Sequence, residues 1–369
     1  MMRRRKFIEM GVGATLGAPL VGTAFGATRA SVDELYARAI VVDTLTNDGP
    51  GFDAGQALEA GLSAAVVDLP IFPRNMPSAM RALEAWREAF AKPETRYVKV
   101  LKAADLEGAK RERKFGVILS CQDAAILDSS TASVNDYNIQ NLKRYHELGL
   151  RVLQLTHNER NGLGDSFREK TNAGLSRLGE KVVAAMNDLR MIIDVSHCGD
   201  TTTDEAIKLS KQPCAITHAG CRALYPTLRN KTDAQIRAVS ERGGIFGVFN
   251  MSLWLTMRPT TSIDDVVAHI DHAVKLGGID HVTFGSDGPV LVNPTPEDQQ
   301  LKGMRGYAER NLGLPGAERI PNHVLVRELN SPRRLYVLAD ALSRKGYKAD
   351  GIEKIIGGNF VRFLREVCG

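Results

Sequence analysis

Short apolar runs rich in β-branched residues, regularly separated by longer amphipathic stretches, are the feature that most restricts what this chain can fold into. The runs lie at 39–43, 63–68, 115–122, 151–157, 191–197, 214–218, 244–250 and 281–287. Alternation of this kind predicts parallel strands joined by helices. Nearly unbroken apolar segments such as Ile-Val-Val-Asp (40–43) and Met-Ile-Ile-Asp-Val (191–195) suit strands covered on both faces. Eight is the number a closed barrel needs, so the expected fold is α/β, a (β/α)8 TIM-type barrel forming one domain over 31–369. Helices are expected at 134–148, 179–189, 201–210, 232–241 and 263–276, with Gly149 and Gly277 as C-terminal caps. The tail at 331–367 reads as two C-terminal helices split at 346–351. The stretches 257–262 and 294–322 read as loops, the second long enough for a lid or an oligomer contact.

Every run ends in a polar residue. In order these are Asp43, Asp68, Gln122, His157, His197, His218, Asn250 and Asp287. In a parallel barrel all strand C-termini open on one face, where barrel enzymes carry their chemistry. Any one of these residues can simply mark where a strand meets a loop. Three ends in histidine, from only eight histidines in the chain, argue for a shared cause.

The types of residue suggest the chemistry. Neutral imidazoles joined by a carboxylate are standard ligands for zinc and similar ions, which makes His197 and His218 candidate metal ligands, with Asp287 as a further one and Gln122 as a weaker, uncharged one. A bound divalent metal lowers the pKa of a water and polarises a carbonyl, the two requirements of amide hydrolysis. Asp287 is the candidate general base and His157 the candidate partner for the developing oxyanion. Arg229 and Asn230, after the His218 strand, are candidates for holding a substrate carboxylate.

Charge and targeting signals narrow the setting. A net charge of +5 comes from 48 basic and 43 acidic residues, a balance that gives nucleic-acid binding little support. The basic run 110–114 reads as a solvated helix end or loop. Arg4 and Arg5, followed by a Gly- and Ala-rich apolar stretch at 11–26, resemble a twin-arginine signal over 1–30, implying use of the Tat export machinery and a periplasmic destination. That stretch is too short and glycine-rich for a stable membrane anchor. Five cysteines lack the spacing of a zinc or disulfide framework, and Cys121, Cys198 and Cys214 lie in or beside apolar runs that would bury them.

Leu-Thr-His-Asn (155–158), Asp-Val-Ser-His (194–197), Ile-Thr-His-Ala (216–219), Arg229-Asn230, Gly-Ser-Asp-Gly (285–288) and Glu-Lys-Ile-Ile-Gly-Gly-Asn-Phe (353–360) together resemble the membrane dipeptidase family, also called renal dipeptidase. The motifs occur in family order and cover nearly the whole chain after the signal. The resemblance implies a two-zinc barrel that hydrolyses dipeptides without strict side-chain specificity. It places His197 and His218 on one metal, His157 at the substrate carbonyl, Arg229 at the substrate carboxylate, and Asp287 in proton transfer or metal binding.

The chain also departs from the pattern. The family's first strand ends in Asp-Gly-His-Asn-Asp, whose His and second Asp bind the other zinc; here 43–48 reads Asp-Thr-Leu-Thr-Asn-Asp, with Leu45 and Asn47 in those places. The bridging Glu of the third strand is Gln122, which brings no charge. One ion is therefore expected in place of two. Two functions follow: metal-dependent hydrolysis of dipeptides or related small amides, or a catalytically silent periplasmic barrel that binds a small anionic ligand through Arg229, His157 and the other histidines. A homodimer is compatible with either.

Overall fold

Burial alternates along the strands with a period of two. Val42, Ala64, Val66, Ile118, Val152 and Ile192 belong to one buried cluster, whereas their chain neighbours Val41, Ala65, Val67, Val117, Leu153 and Ile193 belong to another. Side chains of a strand point alternately to its two faces, so the first set fills a tube and the second packs beneath surrounding helices. The computed structural model describes residues 29–71, 74–128, 138–256, 258–292, 295–312 and 322–369. The proposed export signal lies outside these, apart from the start of helix Arg29–Arg38.

Among the described residues nine strands occur: β1 (Val42–Asn47), β2 (Ala64–Asp68), β3 (Tyr97–Lys99), β4 (Phe115–Cys121), β5 (Leu150–Gln154), β6 (Ile192–Asp194), β7 (Ala215–Ala219), β8 (Ile245–Val248) and β9 (Val282–Phe284). Eight form a parallel series in the order β1-β2-β4-β5-β6-β7-β8-β9. The ring is brought together beyond β9, where Asn47 N donates to Gly288 O at 3.0 Å and Asp287 N donates to Leu45 O at 3.0 Å. The (β/α)8 expectation holds. The short β3 was not foreseen; it pairs with the first half of β4, Tyr97 opposite Phe115, before β5 takes over beside Leu119.

Four helices lie where the amphipathic stretches predicted them; the one expected over 134–148 begins at Gln140, with 134–137 outside the described residues. In the C-terminal tail a helix already runs over Ala349–Glu353, inside the expected break at 346–351. Ser176 caps Arg177–Asp188 by accepting from Gly179 N, and Thr232 with Gln235 forms a reciprocal capping box at Asp233–Glu241. Gly149 is the left-handed cap of Gln140–Leu148 at φ 112°, as expected. The cap at 277 falls one residue later: Gly277 is still helical and Gly278 takes the positive φ. The stretch 294–322 is not wholly loop, since Glu297–Leu312 is helical.

The C-terminal segment closes the lower end of the tube. Phe360, Phe363 and Leu364 of helix Asn359–Cys368 join the interior cluster. Before that helix the backbone passes so close to β1 that a Cβ on Gly357 would lie 2.0 Å from Ile40 O, which only glycine permits. No helix among the described residues is long and apolar enough to cross a membrane.

Candidate active site

Residues at or just beyond the strand C-termini surround a cavity of about 350 Å3 at the open end of the barrel: Asn47 and Asp68 end β1 and β2, whereas His157, His197 and Asp287 each stand three residues past β5, β6 and β9. Its walls include Asn47, Asp68, Arg74, Gln122, His157, His197, Arg229 and Asp287, with Pro70, Phe167, Met251 and Trp254 supplying apolar surface. Of the predicted site residues, His157, His197, Gln122, Arg229 and Asp287 thus meet around one space. His218 is fully buried directly behind His197. Asn230 does not join them: its Oδ1 accepts from Gly220 N, and its Nδ2 donates to Tyr225 O and Trp254 O, so its amide braces the loop.

Two other strand-end expectations change. Asp43 is no strand end, because β1 runs on to Asn47 and Asp43 forms a buried ion pair with Arg334 at 3.2 Å. Asn250 is buried, and its Oδ1 accepts from Val326 N. The hydroxyls of Thr44 and Thr46 carry β1 through the core by donating to Thr217 O and Val66 O.

His197 and His218 approach with Nε2 atoms 2.8 Å apart. Arg229 Nη2 lies 3.0 Å from His197 Nε2, and a guanidinium only donates, so that nitrogen is bare and the ring proton sits on Nδ1, toward Asn158 Oδ1 at 2.9 Å. Thr217 gives its hydroxyl proton to Asp194 at 2.7 Å, so His218 Nδ1 donates to Thr217 and its Nε2 is bare as well. Burial, followed by the Arg229 charge, holds both rings well below the usual histidine range, hence neutral. Two bare nitrogens facing one another are a donor pair waiting for a cation or a shared proton, which fits one metal ion.

His157 stacks on His197 with ring centres 4.4 Å apart. Burial, then the charges of Arg74 and Arg229, hold it well below the usual range. Arg229 is only 1% exposed; it also donates to Ser196 O and His218 O, and its guanidinium carbon lies 5.2 Å from the centre of the Phe249 ring. Asp287 adopts φ 55°, a left-handed conformation uncommon outside glycine. Burial pushes its carboxyl up to about 6, against the opposing effects of Arg229 and Asn47.

The side of the cavity built by β1, β2 and β4 does not suit a second metal. Leu45 is fully buried in the interior cluster and offers no donor. Gln122 Nε2 donates to Asn47 Oδ1 and to Asp68 Oδ2, both at 3.1 Å, and that same Asp68 oxygen receives Arg74 Nη2 at 3.1 Å. The Arg74 guanidinium and the backbone and side-chain amides of Gln122 therefore occupy the Asp68 carboxylate. Among the described residues, no group of three or more His, Cys, Asp or Glu side chains is placed to hold a metal ion.

Arg74, Phe167, Met251 and Trp254 were not singled out from the sequence, and Asn47 stood out only as the replacement for a metal-binding Asp. Arg74 follows the end of β2 by six residues with no pattern to mark it. Met251 and Trp254 stand just beyond the predicted strand end at Asn250, which is the only signal they carried.

The comparisons with known proteins give the family and the fold. A family model described as membrane dipeptidase (peptidase family M19) matches residues 52–292. Dipeptidase tcpJ of Claviceps purpurea is 29% identical over 230 residues, covering 61% of this chain and 47% of its own. Dipeptidase aclJ of Aspergillus oryzae matches to the same extent, so the chain spans about half the length of these curated relatives. An amidohydrolase from Pseudomonas aeruginosa superposes with a TM-score of 0.78 at 24% identity, covering 92% of this chain and 99% of that one. A metallo peptidase from Rhodobacter sphaeroides, liganded with a phosphinate mimic of the dipeptide L-Ala-D-Ala, gives 0.68 at 19% identity, covering 89% and 99%. These two structures share the fold.

Proposed function

Because the chain belongs to the membrane dipeptidase family (peptidase family M19), we propose that it is a metal-dependent hydrolase of dipeptides or related small amides. One observation carries the reading: Arg229, the imidazole of His197 with that of His218 directly behind it, and the half-buried carboxyl of Asp287 are gathered at a single cavity of small-molecule size.

His197 and His218 would hold one divalent ion, with zinc the proposed metal. Such an ion, when bound, polarises the scissile carbonyl and acidifies a water. Arg229 turns its guanidinium from His197 to the substrate carboxylate and fixes that end of the molecule. Asp287 accepts the proton of the attacking water at its carboxylate and delivers it to the leaving amine. His157, kept neutral, donates a hydrogen bond to the oxygen that gains charge. Asn47 and Gln122 orient and bind; they do not ligate. Arg4 and Arg5 support export through the Tat machinery to the periplasm, where the mature chain would work alone or as a homodimer.

The loss of metal-binding residue types at Leu45, Asn47 and Gln122 favours the second reading, a silent barrel that binds a small anion. Elemental analysis with a dipeptide panel separates the two. The expected result is on the order of one divalent ion per chain and hydrolysis of simple dipeptides, both lost in H197A and H218A. A metal-free protein that hydrolyses none of the panel, and binds a small dicarboxylate equally well in H197A, removes the enzyme.

A further inference from the structure

We propose that Arg74 makes the cavity selective for a substrate with a second anionic group beside its α-amino group, that is, a dipeptide with aspartate or glutamate at its N-terminal position. The proposal rests on the reading of the cavity as a dipeptide site.

Topology sets the two guanidiniums apart. Arg74 follows β2 and Arg229 follows β7, the second and sixth members of the ring of eight, so they enter the cavity from opposite sides of the barrel. A ligand held at its terminal carboxylate by Arg229 therefore presents its other end toward Arg74.

Two observations describe what that other end must be. Gln122 Nε2 faces Asn47 Oδ1 and Asp68 Oδ2, which fixes the orientation of the amide. Its Oε1 is then a buried acceptor with no hydrogen-bond partner, in a side chain that lines the cavity. Buried acceptors are nearly always satisfied, and an α-ammonium group supplies the N–H required. Arg74 stands next to this position, because its Nη2 and Gln122 Nε2 both lie 3.1 Å from the same Asp68 oxygen. A carboxylate one or two methylenes from an ammonium seated at Gln122 therefore falls beside Arg74.

Asp68 does not cancel the attraction. It takes a donor at Nη2, and Nη1 lies 4.0 Å from Cys121 Sγ; the planar array of donors can serve an added carboxylate beside these partners. The apolar walls at Pro70, Phe167 and Trp254 lower the local dielectric and lengthen the reach of the charge.

The test uses the full chain with the metal it carries. Hydrolysis of Asp-Ala is compared with Asn-Ala, and of Glu-Ala with Gln-Ala, in wild type, R74K and the double variant D68N/R74M, which removes both charges and strands neither. The acidic substrate should lead in kcat/KM by about tenfold or more in wild type, R74K should keep part of the lead, and D68N/R74M should bring the ratio to near unity. Equal rates in wild type, or a lead that survives in D68N/R74M, overturn the proposal. If no dipeptide is hydrolysed, the catalytic reading fails alone, and calorimetry with phosphinate mimics of Asp-Ala and Asn-Ala decides the selectivity. Tighter binding of the Asp mimic that disappears in D68N/R74M supports Arg74, and equal binding overturns it.

Discussion

Asn47 Nδ2 stands 3.1 Å from both the carbonyl oxygen and the Oδ1 of Asp287, so one amide grips the backbone and the carboxylate of the same residue. The grip matters because Asp287 sits at φ 55°, a conformation that costs a non-glycine residue roughly 1 kcal/mol. Removing it in N47A should lower kcat/KM for a simple dipeptide by about ten- to a hundredfold through misplacement of the carboxylate. Steady-state kinetics beside a thermal melt make the check. Undiminished kcat/KM in a folded N47A would show that Asn47 does not position the base.

Arg334 fastens the barrel where its first and last strands meet. Its Nη1 reaches Asp43 Oδ2 at 3.2 Å and Ser286 Oγ at 3.0 Å, while Nη2 reaches Pro289 O at 2.7 Å. Both charges are buried, so R334M leaves a stranded carboxylate and should destabilise the fold by about 3–5 kcal/mol. D43N/R334M should recover a large part of that. Urea midpoints of the two variants measure it, and a double variant no more stable than R334M would refute the stranded-charge explanation.

Lys231 gives stability a pH dependence of defined sign. Its ammonium is buried against Cys198 O at 2.8 Å and Thr203 Oγ1 at 2.9 Å, and burial pulls its pKa from 10.5 down to about 8. Between these values the unfolded chain binds more protons than the folded one, so this residue's contribution rises as pH climbs from about 8 to 10.5. The full swing is roughly 3 kcal/mol. K231M should lack it, and the difference between wild-type and K231M unfolding free energies, followed across that interval, gives the test. A constant difference would contradict it.

Restoring the absent metal donors should fail while Arg74 remains. L45H/N47D/Q122E replaces the apolar and amide side chains with imidazole and carboxylates, yet it leaves a guanidinium against Asp68. Elemental analysis should find the wild-type metal content in this triple variant, and a higher content once R74M is added. A second ion in the triple variant alone would show that Arg74 presents no barrier.

Much of this architecture could be read from residue order. Seven of the ring strands lie where apolar runs predicted them, because a strand buried on both faces must be nearly all apolar. The first was misplaced: Asp43 looked like an end, whereas Arg334, far along the chain, supplies the cation that lets a carboxylate sit in mid-strand. The helix Glu297–Leu312 passed for loop because it is polar and holds Gly303 and Gly306. In the site, residues next to apolar runs were visible and Arg74 was not, since only the pairing of β2 with β4 brings it beside Gln122. Arg229 and Asn230 show the limit of adjacency: one faces the cavity and its neighbour serves the backbone.

Helix Asn359–Cys368 is translated long after the strands whose interior it covers. A ribosome-bound chain that has not reached it carries a tube lined with valine and isoleucine and open at one end, the kind of sticky surface that quality-control systems retain. A stop codon placed upstream of Asn359 would accordingly yield a leaking vessel, not a shorter working one, and the cell would see it as debris.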